Sequence, residues 1–183
     1  MTGGLPAPET MCEGNWLRLV RRGRWEYAER THGEGMAVII VAVTPDDAIL
    51  FVEQSRVATG SRTIELPAGL VGDTDAGDSF EAAARRELVE ETGWEPAEVE
   101  VLTIGPTTAG MSNERAAIVR ASRLTRVGAG GGVEHEDIVV HAVPRSEAAA
   151  WLCAKRDAGF EIDLKVWSGL WLAAHQPDGT AIG

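Results

Sequence analysis

The run MAVIIVAV at residues 36–43 is apolar throughout. A strand with one wet face alternates polar and apolar residues, so an unbroken β-rich run is expected where both faces are covered. The run is much too short to span a bilayer. It therefore predicts the central strand of a sheet with packing on each side. The turn signal TPDD follows, and then a second β-rich run at 48–54. TIEL enters a loop rich in Gly and Asp, and further strands are expected at 99–105, 115–122 and 137–143. Helices are expected at 79–92, 145–158 and 162–175.

The 183-residue chain, 44% apolar, suits one domain with a sizeable core plus an extra segment. Residues 16–30, WLRLVRRGRWEYAER, alternate apolar with charged residues around an RRG turn and predict a β-hairpin. The first residues carry no basic region followed by an apolar one, so a mobile leader is expected rather than a secretory signal. Only 1–35 looks separable, which leaves 36–183 as the main domain. The net charge is 17 − 28 = −11. That points away from nucleic acid as a partner, since phosphate backbones call for a basic surface. A small phosphate ligand needs only a few local arginines or a metal. Cys12 and Cys153 are far apart and show no zinc spacing, as expected of reduced thiols in a cytoplasmic protein.

The segment RRELVEETGW, residues 85–94, gathers like charges on a helix. Its helix has Asp78 or Ser79 to cap the start, Phe80, Ala84 and Leu88 as a buried stripe, and Gly93 where a left-handed cap belongs. Glu87, Glu90 and Glu91 fall three and four residues apart, within one arc of roughly 100°. Like charges at that spacing cost a few tenths of a kcal/mol per pair, and they sit at the helix end that disfavours anions. Two explanations compete. The glutamates form a solvated face relieved by Arg85 and Arg86, or they bind a hard divalent cation, for which carboxylate oxygens are the preferred ligands.

Context decides between them. The run Gly72-x5-Asp78-x7-Arg86-Glu87-Leu88-x-Glu90-Glu91-x-Gly93-Trp94 closely resembles the Nudix box. Asp78 stands where the box has its first glutamate, with Glu81 as the nearby alternative. The resemblance implies an α/β fold, an α/β/α sandwich around a mixed β-sheet, here with an N-terminal β-hairpin. It also implies an enzyme that cuts the pyrophosphate of a nucleoside diphosphate derivative with Mg²⁺ or Mn²⁺. By that likeness Glu87 and Glu91 are the main metal ligands. Glu90 and the Ala68 carbonyl complete the shell, and Arg86 orients the cluster.

The flanks VEQSR (52–56), TIELPAGL (63–70) and GPTTAGMSNE (105–114) are similar to the ADP-ribose pyrophosphatase branch. That likeness makes Glu114 the residue that assists the attacking water, although Ala109 stands where the branch has proline. It makes Arg56 a phosphate contact and Arg30 phosphate- or sugar-facing, and puts Glu65 on the substrate side. It further implies a homodimer in which Trp16 and Trp25 sandwich the base across subunits, an arrangement suited to the polarisable face of a base. Each of these residues also has a plainer explanation, as surface charge, strand packing or core.

The expected substrate is ADP-ribose or a related nucleoside diphosphate sugar, split to a nucleoside monophosphate and a sugar phosphate. The alternatives are GDP-mannose, ADP-glucose, or a non-catalytic ADP-ribose sensor on the same fold. Nucleic acid and membrane are not expected partners. The segment GAGGG at 128–132 lacks the lysine of a P-loop and is expected to be a flexible loop. The four histidines show no metal spacing, and the tryptophans at 151, 167 and 171 are expected in helix cores.

Overall fold

The structure, a computed structural model, describes residues 4–32, 35–72, 77–133 and 136–182. Strand β4 (Met36–Ala42) lies inside a sheet, as its apolar run requires. Its neighbours are β7 (Ala68–Leu70), antiparallel, and β9 (Arg115–Arg126), parallel; β8 (Trp94–Pro106) closes the far edge in the order β7-β4-β9-β8. A second sheet has the order β10-β5-β6-β11, built from β10 (Val139–Pro144), β5 (Ala48–Arg56), β6 (Ser61–Glu65) and β11 (Glu161–Ile162). The β6–β11 pairing is parallel, so both sheets are mixed.

Alternation along β4 divides the core into two layers. Val38, Ile40 and Ala42 pack with Leu50 beneath Ala84 and Leu88 of helix α1 (Phe80–Thr92). Ile39 and Val41 face the other way. They pack with Ile49, Phe51 and Ile64 against Leu152 of α2 (Ala148–Asp157) and Val166 of α3 (Leu164–Leu172). Helices cover both sides, which is the expected α/β/α sandwich. Trp151 stacks on Phe51 with ring centroids 5.5 Å apart and belongs to this core. Trp167 and Trp171, by contrast, lie exposed on the outer face of α3. Their expected place in the core is corrected, because α3 turns Val166, Gly169 and Leu172 inward instead.

Helix α1 begins as its sequence dictates: the Ser79 hydroxyl accepts from the Ala82 amide at 3.2 Å. It ends at Gly93 with φ 73°, where the cap amide donates to the Val89 carbonyl. The chain then passes directly into β8, whose start lies several residues before the expected strand. Pro96 sits within β8 opposite Leu124. A proline is tolerated there because β8 is an edge strand with no outer partner for the missing N–H.

The N-terminal segment departs further from expectation. Residues read as a mobile leader form strand β1 (Glu9–Glu13), paired with β2 (Leu17–Arg22), which pairs in turn with β3 (Trp25–Arg30). The result is a three-stranded antiparallel sheet, not a two-stranded hairpin. Gly23, with φ 64°, makes the two-residue turn between β2 and β3 possible. The sheet joins the main body through Ala28, whose amide donates to the Met111 carbonyl at 2.8 Å. Among the described residues no helix is long and apolar enough to cross a membrane, and Cys12 and Cys153 are free.

Leu88 is fully buried between α1 and the sheet. Leu88→Ala is expected to lower the unfolding free energy by about 2–5 kcal/mol, and Leu88→Met by less than about 1.5 kcal/mol. Denaturant titration would measure both.

Candidate active site

Helix α1 crosses β7 at the point where β7 has almost no side chain. A Cβ added to Gly69 would lie 2.0 Å from the Glu87 carboxyl carbon, so the glycine is what lets Glu87 lie flat on the strand. One turn on, the Glu91 carboxylate accepts from the Ala68 amide at 3.1 Å. Arg86 braces this face. It donates to Glu87 at 2.6 Å, to the Leu70 carbonyl at 3.2 Å and to Asp78 at 3.3 Å. Asp78 thus acts here through Arg86. Glu90 is half-exposed, 3.9 Å from Arg86.

Glu87 and Glu91 open onto a cleft of about 530 Å³. Arg56, from the end of β5, forms a two-pronged ion pair with Glu65 of β6, both contacts 2.7 Å. Arg30, from the end of β3, donates to Glu114 at 2.7 Å, and Thr107 donates to the other oxygen of Glu114 at 3.1 Å. The loop carrying Glu114 is closed by the Thr107 amide on the Glu114 carbonyl.

Of the residues singled out in the sequence, Arg30, Arg56, Glu65, Ala68, Glu87, Glu91 and Glu114 all line this one cleft. Arg86 and Glu90 stand behind its rim. Trp16 and Trp25 do not line it. They are 71% and 57% exposed, Trp16 edge-on to His32 and Trp25 under Arg24.

The electrostatics of the cleft centre on Glu91. Burial first, then Glu87, Glu136 and Glu65 nearby, push its carboxyl up to about 8, against the pull of the Ala68 amide. Burial also raises Glu87, although Arg86 opposes the shift. At Glu65, burial acts upward but the hydrogen bonds from Arg56 and Thr63 outweigh it, and its carboxyl is lowered. The cleft therefore has one wall of satisfied ion pairs and one wall where half-buried Glu87 has Arg86 alone and buried Glu91 has no cationic partner among the described residues. The donor set of that second wall, all carboxylate and backbone oxygen, fits a hard divalent cation. Among the described residues no three acidic, imidazole or thiol groups already converge on one point. Glu87 is drawn to Arg86 and Glu91 to the Ala68 amide.

Other lining residues carried no local signal. Lys165 comes from the first turn of α3 and pairs with Asp163 at 2.5 Å. Gln54, Thr107 and Thr108 add polar groups. Glu136 follows the glycine run 128–132, which was expected as a flexible loop and which is bonded here to the end of α1. The amides of Gly131 and Gly132 donate to the carbonyls of Glu91 and Glu90 at 2.8 and 3.0 Å, and those of Val127 and Gly128 donate to Gly93. The glycines thus satisfy carbonyls that a helix end leaves free. A Cβ on Gly130 would lie 2.4 Å from the Thr92 backbone, so bulk is excluded there. The acidic VEHED run was the only available hint of Glu136. His135, which was given no role, lies outside the described residues.

Residues 33–154 match the family model described as NUDIX domain. The chain is 34% identical over 141 residues to a GDP-mannose pyrophosphatase of Citrobacter koseri, covering 73% of this chain and 70% of that protein. It is 34% identical over 102 residues to an ADP-sugar pyrophosphatase of Mus musculus, covering 47% of this chain and 45% of that protein. The chain spans about half the length of several curated relatives it matches. A solved structure titled as an ADP compounds hydrolase superposes with a TM-score of 0.66 at 23% identity, covering 81% of each chain, and shows the shared fold.

The raised Glu91 carboxyl has a consequence for the metal-free protein. Its folded value, about 8, lies above its ordinary 4.5. Between those values the folded state keeps a proton that the unfolded state has lost, so stability falls as pH rises through that window. Glu91→Gln is expected to flatten this fall and to raise the melting temperature above the window, as scanning calorimetry across pH would measure.

Proposed function

Because the chain belongs to the NUDIX family, we propose that it hydrolyses the pyrophosphate bond of ADP-ribose or a related nucleoside diphosphate sugar. The products are a nucleoside monophosphate and a sugar phosphate. The observation that carries this is the division of one cleft into a carboxyl wall and a wall of ion-paired guanidiniums. Glu91 is buried with no cationic partner among the described residues and half-buried Glu87 has only Arg86, while Arg30, Arg56 and Lys165 face the same space. A divalent cation meets the unpaired carboxyl side, and the guanidiniums of the other wall can exchange part of their present pairing for a diphosphate.

Glu87 and Glu91, with Glu90 and the Ala68 carbonyl, would hold Mg²⁺, or Mn²⁺ in its place. When bound, the ion polarises phosphoryl oxygens and lowers the pKa of a coordinated water. Arg86 keeps Glu87 oriented through its 2.6 Å contact. Arg30 and Arg56 already stand at the cleft, paired with Glu114 and Glu65. The diphosphate takes up part of that guanidinium charge. Glu114, released in part from Arg30 and still held by Thr107, accepts the proton of the water that attacks phosphorus. The bridging P–O bond breaks, and the leaving phosphate carries away the bond's electron pair.

The aromatic pair Trp16 and Trp25 lies outside its own cleft and is solvent-exposed. That placement supports a homodimer in which residues 1–35 reach a second subunit and the tryptophans stack on the base there. Two free cysteines support a cytoplasmic setting. GDP-mannose is the second substrate reading, favoured by the Citrobacter relative, which matches over a larger share of this chain than the mouse one.

Comparing kcat/KM for ADP-ribose, ADP-glucose and GDP-mannose separates these substrates. Tight ADP-ribose binding with no cation-dependent release of AMP would overturn catalysis altogether. Glu91→Gln is expected to lower kcat by on the order of 10²–10³-fold with the fold intact by circular dichroism. Gly69→Ala is expected to displace Glu87 and weaken Mn²⁺ binding about tenfold, as calorimetry would show, since the crowded atom is a movable side-chain end.

A further inference from the structure

Behind the cleft, away from the residues discussed so far, lies a second charged cluster. Glu53 of β5 is buried, yet it accepts from Arg62 at 2.8 Å, from Lys155 at 2.9 Å and from His141 at 2.9 Å. Burial acts upward on its carboxyl, but these three partners hold it down at about 2. Such an anion is a fixed anchor. Arg62 sits on β6 directly opposite Ser55 of β5. While its Nε holds Glu53, its Nη1 reaches forward to Ser55 at 3.2 Å and to the carboxylate of Asp137. Ser55 also donates to Asp137 at 3.3 Å.

Asp137 is the residue after Glu136, and Glu136 lines the cleft. On the other side of Glu136, the glycine strap is bonded to the carbonyls of Glu90 and Glu91, as described above. The Glu136 carboxylate also accepts from the Val133 amide at 2.9 Å. One carboxylate of the cleft is thus suspended between two anchors. The first is the backbone of the acidic helix, and the second is Arg62.

We propose that Arg62, backed by Glu53, is a positioning residue that fixes Glu136 at the cleft and so sets the cleft's affinity for a divalent cation. The strap ties the chain before Glu136, and β10, which pairs with β5 from Val139 on, ties it after; Arg62 adds a restraint on the residue next to Glu136 itself. Conformational freedom left at Glu136 must be lost when its carboxylate is used, and that restraint lowers the loss. Arg62 suits this task because its planar fork reaches two acidic partners at once, where lysine offers a single point charge. The inference rests on reading the cleft as a cation-dependent hydrolytic site.

The test uses the full chain, with Mn²⁺ as the probe. Calorimetry gives Mn²⁺ affinity, and kcat and KM are measured for ADP-ribose. Glu136→Gln and Arg62→Gln are each expected to weaken Mn²⁺ binding about tenfold. The double variant is expected to bind no more weakly than either single one, because both changes remove the same interaction. Arg62→Lys is expected to recover part of the loss. Both Arg62 variants should lower kcat with KM unchanged. Asp137→Ala, which leaves Glu53 and its three partners intact, should reproduce the loss even where Arg62→Gln fails to fold. The proposal is overturned if the wild-type chain takes up no Mn²⁺, if Asp137→Ala binds it as the wild type does, or if the two single losses multiply in the double variant. The expected Mn²⁺ pattern without turnover of any nucleotide sugar would support the placement of Arg62 and strike the proposed substrate instead.

Discussion

Two carboxylates on one helix face are pressed against a strand that offers them backbone and no positive side chain. Most of the arrangement around the cleft answers to that fact. Glu91 is buried with a single amide for company, and Glu87 lies over a glycine with only Arg86 beside it. Charge in such a place is costly unless paired. Of the two, within the described residues, only Glu87 has a cationic partner, Arg86; Glu91 has none. The protein holds the helix in place, with a serine cap at one end, a left-handed glycine at the other, and a stripe of Ala84 and Leu88 in the core beneath. Apolar packing, which is indifferent to charge, holds the two carboxyl groups close.

The opposite wall follows a different rule. Arg56–Glu65 and Arg30–Glu114 are complete ion pairs, each made by more than one contact. A guanidinium held in a fork needs little rearrangement to meet a phosphate. Each of these arginines comes from the end of a strand, and each partner lies on a neighbouring element. The two arginines are thereby placed by the sheets, while Glu114 is placed by its loop and Lys165 by α3. The strap from 128 to 132 adds a third support, because its amides answer the open carbonyls at the end of the acidic helix.

How far this was legible in the sequence varied with the range of the interaction involved. Helix α1 and its caps were expected at their observed positions, because capping and a four-residue stripe are local. The apolar run of β4 was expected to be central, and it is covered on both faces. The N-terminal strand β1 was missed, since five exposed residues carry no pattern of burial. The early start of β8 was missed because Pro96 reads as an interruption, and only an edge position reconciles it with a strand. The glycine run was taken for a loose loop. Glycine signals freedom when seen alone, but here its small size permits close packing on Thr92.

By itself the sequence determined that three glutamates gather on one face of a capped helix, and that the helix packs on a covered sheet. Periods of two and of three to four residues are properties of the chain alone. Tertiary structure decided which groups from distant segments share the cleft. Arg30 and Glu114 are far apart in sequence, Lys165 stands on a separate helix, and Glu136 is delivered by a strap. It also decided that Glu90 stays at the rim and that Trp16 and Trp25 face outward. Convergence of this kind depends on strand register and on which layers meet. Those are settled only when the whole core packs.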